Sequence, residues 1–88
     1  MNVRYFAAAR AAAGVDEESF DLPADATVAS LLAAILAVER PEPPAGTPPL
    51  ARLLSRSSFL LNEVAVRNRA AALKPDDVVD VLPPFAGG

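Results

Sequence analysis

The sequence predicts an α+β roll, a mixed β-sheet packed on one main helix, with a second short helix. Three observations predict it. Val28, Leu31, Leu32, Ile35 and Leu36 fall at i, i+3, i+4, i+7 and i+8, the one complete apolar stripe at helical spacing. Short alternating or apolar runs lie on both sides of that stripe, at residues 1–6, 19–22, 59–66 and 78–82. The 88 residues suffice for one small domain. Such a chain buries roughly 60% of its unfolded surface, which leaves little for a large cleft.

The elements follow in order. Met1 to Phe6 alternates, with Val3 and Tyr5 on one side and Asn2, Arg4 and Phe6 on the other, and reads as a first strand with both faces partly covered. Tyr5 and Phe6 are both assigned to the core. Ala7 to Ala13 favours helix but is short, so a helical turn or an irregular connection is expected. Ser19 to Leu22 alternates and stops at Pro23, giving a second strand that forms a hairpin with the first across an acidic turn. Thr27 is placed to cap the main helix, with Asp25 near its positive end. That helix is expected to reach Glu39 or Arg40 and to stop before Pro41.

Residues 41–49 hold five of the nine prolines and read as a stiff surface connection. Thr47 and Pro48 then resemble an N-cap followed by a first-turn proline, opening a short helix with Leu50, Leu53 and Leu54 on one face. Phe59-Leu60-Leu61 and Val64-Ala65-Val66 flank Asn62-Glu63, which reads as a two-residue turn, although Glu63 is a poor second turn residue. Lys74 to Asp77 is another turn, and Val78 to Leu82 a last strand, ended by Pro83-Pro84.

Composition excludes much chemistry. The chain has no His and no Cys, so no ordinary side chain titrates near neutrality, and Ser–His, Cys–His, zinc and iron–sulfur sites are ruled out. A catalyst acting alone is not expected. Net charge is −3, from eleven acidic and eight basic residues, which argues against a nucleic-acid or membrane surface. Between Arg4 and Arg10 the apolar run is only residues 5–9, short of the ~7–15 of a signal peptide. A soluble, unexported protein of the cytoplasm is expected, consistent with the missing cysteines.

The tail carries the functional signal. Two of the four glycines, Gly87 and Gly88, are the last residues, which a random chain achieves about once in 200. A frayed end also carries glycines. Here, however, a rigid Pro-Pro follows a core strand directly, and then come Phe85, Ala86 and the glycines. Such an arm suits a carboxylate that must enter another protein's active site, since glycines allow close backbone approach. A carboxylate is a poor electrophile until its oxygen becomes a leaving group, and adenylation by ATP would supply one.

Three segments carry a family resemblance. They are Val3-Arg4-Tyr5-Phe6-Ala7-Ala8-Ala9-Arg10 with Ala13-Gly14, the turn Leu61-Asn62-Glu63, and Leu73 to Gly88 with its ending Pro83-Pro84-Phe85-Ala86-Gly87-Gly88. On these the chain resembles the small subunits of molybdopterin synthase, within the ubiquitin-like β-grasp sulfur carriers. Pro-Pro-x-x-Gly-Gly is the most specific of the three. Two turn positions depart from the family pattern, Glu63 and Asp76, where glycine is usual; Asp can occupy left-handed conformations, so the turn at Asp76 is expected to survive.

The resemblance implies a β-grasp domain over residues 1–82 and a functional tail over 83–88. It implies that Gly88 is adenylated and converted to a thiocarboxylate, and that the sulfur then passes to a pterin precursor in molybdenum cofactor biosynthesis. This is a sulfur-donor subunit rather than an enzyme by itself, and it binds no cofactor; ATP is used by the activating enzyme. Gly87 would give the slim approach and Pro83-Pro84 the stiff exit. Phe85, Ala86, Leu82 and Leu60 are candidate contacts with the large subunit. Implied partners are that subunit, in a heterotetramer, an adenylating enzyme and a sulfur-donating enzyme, with no nucleic acid and no membrane. A carrier for thiamine, cysteine or tRNA thiolation, a protein modifier joined through Gly88, and a plain binding module remain as alternatives.

Overall fold

The structure is a computed structural model in which residues 1–84 are described. Five strands and three helices follow one another: β1 (Asn2–Tyr5), α1 (Ala7–Ala13), β2 (Glu17–Ser19), α2 (Val28–Ala37), α3 (Leu50–Arg56), β3 (Ser58–Leu61), β4 (Val64–Ala65) and β5 (Val78–Leu82). They build one mixed sheet in the order β2-β1-β5-β3-β4. The first and last strands lie side by side and parallel, Asn2 opposite Val78 and Tyr5 opposite Val81. A parallel pair needs a long crossover, and the helices lie within it. One face of the sheet packs against them. Val3 and Tyr5 of β1, Phe59 of β3 and Val79 and Val81 of β5 meet Val28, Leu31, Leu32 and Ile35 of α2, with Ala9, Ala13, Leu54 and Leu73 completing the core. Each fully buried aliphatic side chain here contributes roughly 1.5–3 kcal/mol.

The alanine run forms two full turns of helix rather than an irregular connection. Gly14 closes it at φ 83°, its N–H donating to the Arg10 carbonyl at 2.9 Å, the left-handed cap that glycine adopts without strain. β1 and β2 are antiparallel as expected, but α1 lies in their connection, and β2 runs over residues 17–19 instead of 19–22. The shift has a physical cause. The pairing of Val3 with Glu18 turns Glu18 toward the helical side, where it accepts from the Tyr5 hydroxyl at 2.6 Å and from the Arg40 guanidinium. An inward acid with two such partners is invisible to an apolar alternation count. Phe20 and Leu22 still pack partly against the core beyond the strand end.

Thr27 caps α2 as expected. Its hydroxyl accepts from the Ser30 N–H, and the Thr27 N–H donates to the Ser30 hydroxyl, a reciprocal capping box. The helix ends at Ala37, short of Glu39, because residues 38–40 turn away to bring Arg40 inward. Arg40 donates to the carbonyls of Ile35, at 3.0 Å, and Ala13, at 3.1 Å, and so ties the ends of α2 and α1 to Glu18 of β2. Leu36 is 48% exposed and leaves the stripe at its edge. α3 starts at Leu50 with Pro49 as its cap, so Thr47 is not the cap. Two consecutive prolines explain this: the residue before a proline avoids the helical region, so Pro48 cannot open the helix.

The Asn62-Glu63 turn forms as expected, with φ of 50° and 70° at its two residues, the pair of positive values that a tight hairpin of this hand requires. Asp76 is not among the positive-φ residues. The turn from Lys74 to Asp77 forms as expected, its Asp77 N–H donating to the Lys74 carbonyl at 3.0 Å, and it needs no left-handed residue at Asp76. Asp77 itself stabilises that turn, accepting from the Lys74 N–H at 2.7 Å.

Candidate functional site: the open sheet face and the root of the tail

Strand alternation decides what the other face of the sheet presents. With Val3, Tyr5, Val79, Val81 and Phe59 turned inward, Arg4, Asp80, Leu82, Ser58 and Leu60 are turned outward. Arg4 lies opposite Asp80, and Asp80 opposite Leu60, so the three form one row across β1, β5 and β3. Arg4 grips Asp80 at both oxygens, Nε to Oδ1 at 2.6 Å and Nη2 to Oδ2 at 2.9 Å. Asp80 is buried under that guanidinium, and the bond with Asp80 raises the Arg4 pKa above its ordinary value.

Next to this row, toward the tail, the surface is apolar. Leu82 pairs with Ser58. The Phe6 N–H donates to the Val81 carbonyl at 3.3 Å, which extends the parallel ladder by one step and brings Phe6 alongside Leu82. Phe6 has extended backbone and is 40% exposed. It is therefore on the outer face and not in the core, which corrects its assignment; Tyr5, at 2% exposure, is in the core as expected. The reason is the strict alternation of β1, which offers only one of two neighbouring aromatics to the inside. Leu60 and Leu82 are half-buried and lie outside the core cluster.

Phe6 and Leu82 thus form an apolar pair at the end of the sheet where the chain leaves β5, and Leu60, diagonal to Leu82 in the row of Arg4 and Asp80, extends the patch inward. Pro83 is half-buried at the root of the tail and Pro84 is exposed. Phe85, Ala86, Gly87 and Gly88 lie outside the described residues. Phe6 is the member of the patch that sequence reasoning missed. The signal was present, since Phe6 shares its parity with Arg4 and not with Val3.

Among the described residues no group of three or more acidic side chains is placed to hold a metal ion. No described helix is long and apolar enough to cross a membrane.

The ThiS family model matches residues 3–88, which takes in both the sheet and the Gly-Gly end. The chain belongs to the ThiS family. It is 37% identical over 89 aligned positions to the molybdopterin synthase sulfur carrier subunit of Chlamydomonas reinhardtii, covering all of this chain and 98% of that one. Among solved structures, a putative molybdopterin converting factor subunit 1 from Pyrococcus furiosus superposes with a TM-score of 0.71 at 28% identity, over 96% of this chain and 95% of that one. SAMP1 from Haloferax volcanii gives a TM-score of 0.78 at 25% identity, over 100% and 98%. The fold is accordingly the ubiquitin-like β-grasp, with α1 as a third helix beside the two expected.

Proposed function

We infer that this ThiS-family chain is the sulfur carrier subunit of a molybdopterin synthase. The observation that carries the reading is the full-length likeness to the Chlamydomonas reinhardtii sulfur carrier subunit, within a family match that runs to the terminal glycine.

The chemistry resides in the Gly88 carboxylate. One of its oxygens attacks the α-phosphorus of ATP on an activating enzyme; a P–O bond forms and pyrophosphate leaves. Sulfide released by a sulfur-donating enzyme then attacks the acyl carbon; a C–S bond forms, the C–O bond to AMP breaks, and the acyl adenylate becomes a thiocarboxylate. Sulfur is held on the terminal carbonyl, so the chain needs no cysteine and no cofactor of its own. The large synthase subunit takes the tail into its active site, in a heterotetramer, and the sulfur passes to the pterin precursor. The apolar patch of Phe6, Leu60 and Leu82, with Phe85 and Ala86 of the tail, is the contact with that subunit. Pro83 and Pro84 stiffen the exit and Gly87 keeps the approach narrow. The activating enzyme uses ATP, which suits a cytoplasmic site of action.

Intact mass spectrometry tests this. The untagged protein is incubated with its own cell extract, ATP and sulfide. Exchange of one oxygen for sulfur, located to Gly88 by fragmentation, is the expected result; an unmodified mass in an extract that thiolates another carrier overturns it. A second reading takes the Gly87-Gly88 end as that of a protein modifier. It predicts conjugates linking Gly88 to lysines of other proteins, which the same extract would reveal as higher-mass species.

A further inference from the structure

We propose that Pro83 and Pro84 are positioning residues that keep the activated Gly88 carbonyl out of reach of the chain's own amines, so that it reacts only with groups brought by a partner. The inference rests on the reading of Gly88 as a carboxyl that becomes activated.

An activated carbonyl is open to any nearby amine. The amine lone pair forms an N–C bond, the bond to the leaving group breaks with its electrons, and the amine proton goes to solvent, leaving a dead-end amide. The chain has two primary amines, the Met1 terminus and Lys74; its other seven basic residues are arginines, which stay protonated and do not compete. Both amines belong to the same end of the sheet. Because β1 and β5 are parallel, their beginnings coincide, and the Asn2 N–H donates to the Asp77 carbonyl at 3.0 Å. The Met1 amine is held there by the Phe20 carbonyl at 2.9 Å. Lys74 lies in the turn that leads into β5, its carbonyl accepting from the Asp77 N–H at 3.0 Å. The tail leaves from the opposite end, after Leu82.

What decides reach is how soon the chain can reverse. Leu82 is held extended by pairing with Ser58, and Pro84 cannot take the third position of the common turns, which disfavours proline or demands positive φ. The first turn available runs from Pro83 to Ala86. A four-residue turn there would return Gly88 to the level of Val81. Asp77 is four residues below that, about 13 Å at the strand rise, and the lysine stem spans only about 6 Å. With glycines at 83 and 84 the turn can begin at Leu82. Gly88 then reaches the level of Val79, within about 7 Å of Asp77, and Lys74 comes into range.

The test uses the full chain carrying a chemically formed C-terminal thioester, so no activating enzyme is involved. Intact mass separates hydrolysis from self-acylation, because the internal amide is lighter than the free acid by one water. The wild-type thioester is expected to end as free acid. The double variant Pro83→Gly, Pro84→Gly is expected to form a Gly88–Lys74 amide at least tenfold faster, and adding Lys74→Arg should remove that product. Ser58→Lys, which places an amine opposite Leu82 on the exposed outer face, should cyclise with both prolines intact. Self-acylation of the wild type at the rate of the double variant, or failure of both the proline variant and Ser58→Lys to cyclise, overturns the proposal. Equal melting temperatures establish that the variants remain folded. Absence of sulfur transfer in extract would instead count against the sulfur carrier reading and leave this result standing.

Discussion

The carboxamide of Asn62 is bonded to the carboxylate of Asp77, Nδ2 to Oδ1 at 2.8 Å, and its own oxygen accepts from the Val78 N–H at 2.9 Å. The Asn62 N–H also donates to the Val78 carbonyl at 2.8 Å. One residue thus joins the β3–β4 turn to the start of the strand that carries the tail. This explains why asparagine occupies the first turn position: it tolerates the positive φ, and its amide matches both a carboxylate and a backbone donor.

Asn62→Ala is expected to destabilise the fold by about 1.5–3 kcal/mol at neutral pH, the range for a hydrogen bond to a charged group. The Asn62 amide, and after it the Lys74 N–H, hold the Asp77 carboxyl below its ordinary pKa despite the opposing effect of burial. The stabilisation is therefore complete above the unfolded value of about 3.9 and is lost as pH falls through the lower folded value. In denaturant titrations the gap between wild type and variant should narrow as pH falls below about 4, leaving the part owed to the Val78 bond.

Glu63→Gly should stabilise the protein by up to about 1 kcal/mol. Glu63 holds φ at 70°, a left-handed conformation that costs a non-glycine residue about 1–2 kcal/mol, offset in part by the greater chain entropy of glycine when unfolded. The measurement is the midpoint of urea unfolding, with an unchanged slope.

Arg40→Ala should cost about 1.5–3 kcal/mol, the range for losing hydrogen bonds to a charged group. It strands Glu18 and the carbonyls of Ala13 and Ile35, with side-chain exposures of only 11% for Arg40 and 19% for Glu18. Arg40→Lys should recover little, because an ammonium cannot reproduce the planar fork that reaches three acceptors at once. Thermal unfolding reads both.

Phe6→Ala should lower stability by less than about 1 kcal/mol, as for an exposed position, while weakening binding to a molybdopterin synthase large subunit by about 2 kcal/mol or more, as at an interface hot spot. Titration calorimetry against that subunit gives the second number. Val81→Ala is the counterpart, since it empties a fully buried position and should show first as lost stability.

The capped helix from Val28, the hairpin at Asn62-Glu63 and the final strand from Val78 to Leu82 were legible because each is written in local chemistry: a helical period, a cap, a turn residue, a proline stop. The start of α3 was misplaced because two adjacent prolines interact, and β2 because its register depends on an inward acid. The family of the chain was legible in its Pro-Pro-x-x-Gly-Gly end, although the last four of those residues lie outside the described structure.

By itself the sequence determined the kind of protein this is. It has no His and no Cys, and it carries Pro83-Pro84-Phe85-Ala86-Gly87-Gly88, the motif on which the family resemblance chiefly rests. The tertiary structure alone decided where the chain leaves the sheet toward that motif. Pairing β5 in parallel with β1 puts both amines at one end of the sheet and Pro83 at the other, and it sets Phe6 beside Leu82 across nearly the whole length of the chain. Such neighbours are made by strand register, a long-range pairing that the apolar period within any one segment does not encode.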